Sequence, residues 1–294
     1  MPLAKTVSRS SDAPKGDKPK LGQHFLVDDS ASITIVEALG DISRETVLEI
    51  GPGRGALTSL LARRCRRLIA IELDRVMAAQ LRMKFGLTPN VEILEGDVLT
   101  MDFDAIFGPK PGSVRPGLDQ PIEPVQVVGN LPYYITSDIL LRLFEYRRYV
   151  RTCVLMVQSE VADRLVAQPG NSEYGILSAT TQLYAEVETI LSLPPSSFSP
   201  PPKVNSKVVR LRMNSRVESL GLAKHEKEFI AFLRKSFAQK RKTLWNNLKE
   251  DYPSAPLKSA FSKAKVDSAA RAEDLSLEQS AALFLALGAN AAAR

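Results

Sequence analysis

Residues 48–56 read Leu-Glu-Ile-Gly-Pro-Gly-Arg-Gly-Ala, and few folds accommodate such a stretch. An apolar strand runs into a loop with glycine at every second position, and the loop opens a helix. Glycine lets the backbone approach a ligand closely, and a helix start offers unpaired N–H groups. The spacing fits the dinucleotide fingerprint, with Ala56 last and Glu72 about 20 residues further on. A carboxylate at the end of the second strand can hold the ribose diol of a nicotinamide dinucleotide or of S-adenosylmethionine. The loop by itself does not separate the two.

The pattern beyond the loop is an alternation. Strands are predicted at 47–50, 68–72, 91–94, 125–129 and 153–158, and helices at 56–64, 75–85, 137–146, 160–167 and 176–184. Such an order implies an α/β fold, a parallel sheet wound on both faces. Two late strands, 186–193 and 207–213, flank a Pro-rich stretch and suit an antiparallel edge. Past residue 214 the pattern is purely helical. The expected organisation is a disordered basic tail at 1–20, an α/β domain at 21–214 and a helical domain at 215–294, with 108–124 as a surface insertion.

Ligands of open α/β sheets bind at the carboxyl ends of the strands, and here those ends carry polar groups. Glu72 ends the second strand, Asp97 follows the third and Asn130 ends the fourth. Asp97 suits the amine of a cofactor's adenine. After Asn130 the chain continues Leu131-Pro132-Tyr133-Tyr134. Pro132 holds Leu131 out of the helical region, so the Leu131 carbonyl and the Asn130 amide form a pair of acceptors beside the flat face of Tyr133. Two neutral acceptors can grip the N–H bonds of an exocyclic nucleobase amine while the ring stacks on the base. Taken alone, the same tetrapeptide also describes an ordinary turn at a strand end; the neighbouring carboxylates point to chemistry.

Composition narrows the partners. Of 294 residues 44% are hydrophobic and 24% charged, with a formal net charge of +6, a surplus that favours a polyanionic partner. Two histidines and two cysteines, Cys65 on a helix and Cys153 in a strand, argue against a metal site or a His-based triad. Buried free thiols, the lack of a membrane-length apolar run and the lack of a signal-peptide pattern suit a cytoplasmic protein.

Several motifs then occur in a fixed order: Leu-Gly-Gln-His-Phe-Leu at 21–26, the glycine loop, Glu-Leu-Asp at 72–74, Gly-Asp at 96–97 and Asn-Leu-Pro-Tyr-Tyr at 130–134. Gln-Ser-Glu-Val at 158–161, Phe-Ser-Pro-Pro-Pro-Lys-Val at 198–204 and Arg-Lys-Thr-Leu-Trp-Asn-Asn-Leu at 241–248 complete the set. The series resembles the bacterial ribosomal RNA adenine N6-dimethyltransferases from Leu21 to about Leu248. The resemblance implies a Rossmann-like class I methyltransferase sheet with an antiparallel edge strand, plus a small all-helical C-terminal domain. It implies S-adenosylmethionine held by His24, Leu26, Gly51, Gly53, Glu72, Asp97 and Asn130, and no metal. The implied reaction dimethylates two adjacent adenines near the 3′ end of small-subunit ribosomal RNA during ribosome biogenesis. Asn130, Leu131 and Tyr133 serve the reacting amine, and Phe198 closes over the base opposite Tyr133. The implied partner is the RNA of an immature small-subunit particle, and the implied state is a monomer. Ser159 and Ile176 stand where the family usually has basic residues.

Arg63, Arg64, Arg66 and Arg67 read as a solvated helix end. Arg147 and Arg148, after the Asn130 turn, and Lys240, Arg241 and Lys242, beside Phe237 and Trp245, are the candidate RNA contacts. On a helix three consecutive residues span about 200°, so two phosphate contacts are expected from Lys240–Lys242. Competing functions are a non-catalytic RNA-binding assembly factor on this fold, a large-subunit ribosomal RNA methyltransferase, and a dinucleotide-dependent oxidoreductase.

Overall fold

In the computed structural model, which describes residues 23–108 and 123–288, seven strands form one sheet. The core is parallel: β2 (Thr46–Ile50), β3 (Arg67–Glu72), β4 (Val91–Glu95), β5 (Val125–Asn130) and β6 (Val150–Gln158). Then β9 (Ser206–Met213) pairs antiparallel with β6, and β7 (Ala185–Leu193) antiparallel with β9. The order β4-β3-β2-β5-β6-β9-β7 makes β2 and β5 central, and the chain winds outward from them in opposite directions. That reversal opens a crevice at their carboxyl ends. The antiparallel edge is as the late strands suggested.

Helices α2 (Ala56–Leu61), α3 (Arg75–Phe85) and α5 (Thr136–Glu145) connect the parallel strands, and α4 (Phe103–Phe107) follows β4. Every residue of β2 is buried, as a strand covered on both faces requires. Leu48, Ile50, Ile69, Ile71 and Val127 face one apolar cluster; Val47, Leu68, Val128, Val154 and Met156 face the other. α3 is capped by Asp74, whose carboxylate accepts from the Val76 and Met77 amides, and it covers the range the periodicity predicted.

Two expectations fail locally. The helix after the glycine loop ends at Leu61 rather than 64, so Cys65 lies beyond it. The Asn90 side chain donates to the Ala62 and Cys65 carbonyls at 2.9 Å each, satisfying the helix end from a distant loop. Cys65 and Cys153 are both free and buried, as expected.

The N-terminal segment is organised by residues far away in sequence. β1 (Phe25–Leu26) pairs with β8 (Phe198–Ser199), placing Leu26 opposite Phe198. Helix α1 (Asp29–Glu37) is capped by Asp28, which also accepts from Ser197 Oγ at 3.1 Å. The expected tail and most of the 108–124 insertion lie outside the described residues.

Between β6 and β7 lie α6 (Ser159–Val166) and α7 (Ile176–Tyr184); beyond β9 come α8 (Glu226–Ser236), α9 (Leu244–Leu248), α10 (Ser254–Lys263) and α11 (Leu277–Leu287). One apolar cluster runs from Leu211 and Leu183 through Val217 and Leu222 to Phe229, Phe232 and Phe284. The Glu226 carboxylate accepts from Arg147 at 2.9 Å and from the Tyr184 hydroxyl at 2.8 Å, fixing α8 to the sheet's helices.

Gly129 is where the central pair is tightest. A Cβ there would stand 2.6 Å from the Ile50 carbonyl oxygen, a backbone atom of the paired strand. Gly129→Ala is expected to lower stability by about 1–3 kcal/mol through forced separation of β2 and β5. Urea denaturation measures this; an unchanged midpoint would show that the strands part without cost.

Candidate active site

The crevice is lined by five short segments: residues 23–26, the glycine loop, the β3 end at Ile71–Leu73, the turn at Gly96–Val98 and the β5 end at Asn130–Ile135. His24, Leu26, Gly51, Gly53, Glu72, Asp97, Asn130, Leu131 and Tyr133 therefore come together. Gly51, Gly53 and Gly55 have φ of +67°, +55° and +80°, which only glycine adopts readily. Those three positive-φ positions shape the loop backbone.

Glu72 holds that shape. Its side chain is buried, Oε2 accepts from the Gly53 amide and Oε1 from the Asp74 amide, each at 2.9 Å. Phe25 closes over the loop, where a Cβ on Gly53 would meet its ring at 3.0 Å, and the Arg54 guanidinium lies 4.4 Å from the centre of that ring. Asp97 lines the wall opposite and receives the Leu99 amide at 2.9 Å.

At the β5 end, Asn130 Nδ2 donates to the His24 carbonyl at 2.7 Å. That bond turns the acceptor end of the amide, Oδ1, away from His24. Leu131 is buried, and its amide donates to the Met156 carbonyl at 3.1 Å, so the turn is anchored to β6. The Tyr133 hydroxyl shares a hydrogen bond with Ser206 Oγ at 2.8 Å, and burial raises its pKa. The His24 ring is stacked 5.8 Å from the Tyr133 ring, and His24 Nδ1 lies 2.8 Å from the Pro200 carbonyl oxygen. His24 thus contacts both Asn130 and Tyr133.

Phe198 stands apart from the residues that line the crevice. Its side chain is 3% exposed and belongs to the apolar cluster with Leu26, Ala31, Met156 and Leu193, outside the crevice lining. Its partner on β1 is Leu26, which lines the crevice as well as packing in that cluster.

The basic candidates divide. Arg147 is paired with Glu226 and lies 4.8 Å from the Tyr184 ring; Arg148 is paired with Asp104 and lies 4.8 Å from the Tyr149 ring. Lys240, Arg241 and Lys242 occupy a turn between α8 and α9 rather than a helix, which corrects the arc argument. Lys240 reaches the Ser172 carbonyl and lies 3.9 Å from Glu273. Among the described residues Arg241 and Lys242 form no ion pair. No group of three or more His, Cys, Asp or Glu among the described residues could hold a metal ion, and no helix there is long and apolar enough to cross a membrane.

Residues 15–288 match the family described as ribosomal RNA adenine dimethylase. The chain belongs to that family. It is 51% identical to ribosomal RNA small subunit methyltransferase A of Koribacter versatilis, over 92% of this chain and 96% of the relative. To the protein of the same name from Bacillus licheniformis it is 37% identical, over 90% of this chain and 89% of the relative. Among solved structures, a dimethyladenosine transferase from Plasmodium falciparum superposes with a TM-score of 0.68 at 27% identity, covering 89% of this chain and 96% of the other. The 23S rRNA methyltransferase ErmE follows with a TM-score of 0.66 at 28% identity, covering 90% and 99%. The sheet and crevice are thus those of a class I methyltransferase.

Two residues of this dimethylase's site escaped the sequence reasoning. Ser206 holds the Tyr133 hydroxyl from β9, and nothing local to either residue announces the pairing. Glu49 lies beneath the loop, 1% exposed, with the Thr58 hydroxyl donating to Oε2 at 2.7 Å. A charged residue inside an otherwise apolar strand was the available signal. Burial, aided by the negative charge of Glu72, pushes its carboxyl from 4.5 up to about 7, against the opposing Thr58 bond.

Between pH 4.5 and about 7 the folded protein holds the Glu49 proton that the unfolded chain has released. This group's contribution therefore makes stability fall as pH rises through that window. Glu49→Gln keeps an acceptor for Thr58 and removes the titration. Its stability relative to wild type should rise by about 2–4 kcal/mol from pH 5 to pH 8. Urea denaturation at the two pH values checks this; a constant difference would place the titration elsewhere.

Proposed function

We propose that this dimethylase transfers methyl groups from S-adenosylmethionine to the exocyclic amines of two adjacent adenines near the 3′ end of small-subunit ribosomal RNA, giving N6,N6-dimethyladenines. It acts as a cytoplasmic monomer on an immature small-subunit particle. The observation that carries the reading is the Asn130 amide, turned by the His24 carbonyl beside Tyr133, at the switch-point crevice. Relatives at 51% identity bear the small-subunit name, which favours this RNA over the 23S rRNA for which ErmE is named.

The crevice fits an adenosyl cofactor. Glu72 stands where a ribose diol would be held, Asp97 where an adenine amine would be, and Ile71, Leu73 and Val98 offer apolar walls for the base. The cofactor would supply an electrophilic methyl group; the chain's residues do the rest. Asn130 Oδ1 and the Leu131 carbonyl accept from the adenine amine, turning its nitrogen toward tetrahedral geometry and freeing its lone pair. Tyr133 stacks on the base. No general base is required, because the methylated amine is a cationic acid that releases its proton to solvent.

Glu72→Ala and Asp97→Ala should each weaken S-adenosylmethionine binding by about 1.5–3 kcal/mol, with Glu72 nearer the upper end because it also holds the loop. Calorimetry on folded variants measures this, and unchanged affinity would remove the residue from the site. Asn130→Ala should lower single-turnover methyl transfer by about 100-fold or more with RNA affinity kept. Equal transfer by wild type and variant would leave a non-catalytic assembly factor as the better description.

Lys240, Arg241 and Lys242 are proposed to bind RNA phosphate; Arg147 and Arg148, paired within the chain, would have to exchange partners to do so. Lys240→Ala with Arg241→Ala should leave cofactor affinity unchanged and weaken particle binding. The slope of log affinity against log salt should shrink by roughly 1.5–2. Parallel salt plots of equal affinity would mark the turn as a solvated surface.

A further inference from the structure

Tyr134 is a crevice residue to which the proposed chemistry gives no task. It is 63% exposed, yet it lines the same crevice as Asn130 and Tyr133. Its neighbour Tyr133 is fixed at both ends, by Ser206 at the hydroxyl and His24 at the ring. Among the described residues the Tyr134 ring pairs with no other aromatic ring or cation, and its hydroxyl makes no hydrogen bond. Isolated exposed apolar groups are ordinary on protein surfaces. What distinguishes this one is its place at the mouth of a base-binding crevice and the stiffness of the backbone that presents it.

That backbone is held on both sides. Leu131 is buried and tied to Met156; Pro132 fixes its own φ, and its carbonyl accepts from the Ile135 amide at 3.2 Å and from Thr136 Oγ1 at 3.1 Å. Consecutive side chains in the turn diverge, so Tyr133 is half-buried in the crevice while Tyr134 stands at its rim. An aromatic ring on a rigid turn loses little entropy when something stacks on it.

The substrate presents a matching need. An adenine drawn into the crevice leaves its stack, and the adjacent base loses a partner at the rim. We infer that Tyr134 forms a second base subsite, a platform on which the nucleobase adjacent to the reacting adenine stacks. The site would take any unpaired nucleobase, because every base offers a π-face, and it would favour purines for their larger area. The two adenines would then exchange places between successive rounds, one in the crevice and one on Tyr134. The inference rests on the adenine transfer proposed above.

Small-subunit particles reconstituted with unmodified RNA provide the test, in two forms. One carries both adenines; the other has an abasic nucleotide in place of one of them. Methyl transfer to the remaining adenine is followed at limiting particle concentration for wild type, Tyr134→Ala and Tyr134→Phe. On the natural pair, Tyr134→Ala should lose about 5- to 100-fold in kcat/KM, chiefly through KM, and Tyr134→Phe should restore it. On the abasic particle wild type and Tyr134→Ala should be equal, because there is no base left to stack. A loss of the same size on both particles would assign Tyr134 a structural role and overturn the subsite. So would full activity of Tyr134→Ala on the natural pair. Wild-type protein that methylates neither particle would overturn the proposed activity and the subsite together.

Discussion

Ile50 and Gly129 face each other across β2 and β5 with no room for a side chain between Gly129 and the Ile50 carbonyl. This close pairing lets the glycine loop leave β2 beside the Asn130 turn leaving β5; a Cβ on Gly51 would lie 3.6 Å from the Asn130 carbonyl oxygen. The two halves of the crevice, the glycine loop and the Asn130 turn, are therefore registered by backbone hydrogen bonds and steric contact. Such contacts are short-ranged and steep, so the relative position of the halves is far stiffer than side-chain packing alone would make it.

A second layer of order comes from the N-terminal segment. His24 reaches Pro200, 176 positions along the chain, stacks on Tyr133, and offers its carbonyl to Asn130. Asn130 sits at a strand end, where its amide could otherwise rotate freely; the bond from Nδ2 decides which end of the amide the crevice receives. Segment 23–26 thus sets both the chemical polarity of the site and its roof, with Phe25 over the glycine loop. The Glu72 carboxylate beneath spends one oxygen on the Gly53 amide and the other on Asp74, and its charge raises the cost of ionising Glu49.

The helical part is joined to the sheet rather than hung from it. A single apolar cluster crosses residue 215, and Glu226 ties Arg147 and Tyr184 together at the seam. Arg147 and Arg148 illustrate why charge in a sequence does not specify a partner: each has an acidic group within the chain. The Lys240–Lys242 cluster lies on an exposed turn and keeps two cations without ion pairs among the described residues.

By itself the sequence determined the central α/β order and the polar strand ends, because both depend on local periodicity and on what glycine and proline do to a backbone. Helix α3 and strands β2, β3 and β5 lie within about a residue of the patterned ranges, as Asp74 and the glycine turns punctuate them locally. Glu72, Asp97 and Asn130 were legible as strand-end groups for the same reason: Glu72 and Asn130 end apolar strands and Asp97 lies just past one. Local pattern failed where a distant group intervened. The helix after the loop ends where Asn90 caps it, Tyr133 is held by Ser206, and Phe198 is buried among residues from distant elements. A two-residue strand carries no period, and the partner of a buried polar atom leaves no mark beside that atom in the chain. Those features arise only when segments far apart in sequence share one volume, and the tertiary structure alone decided them.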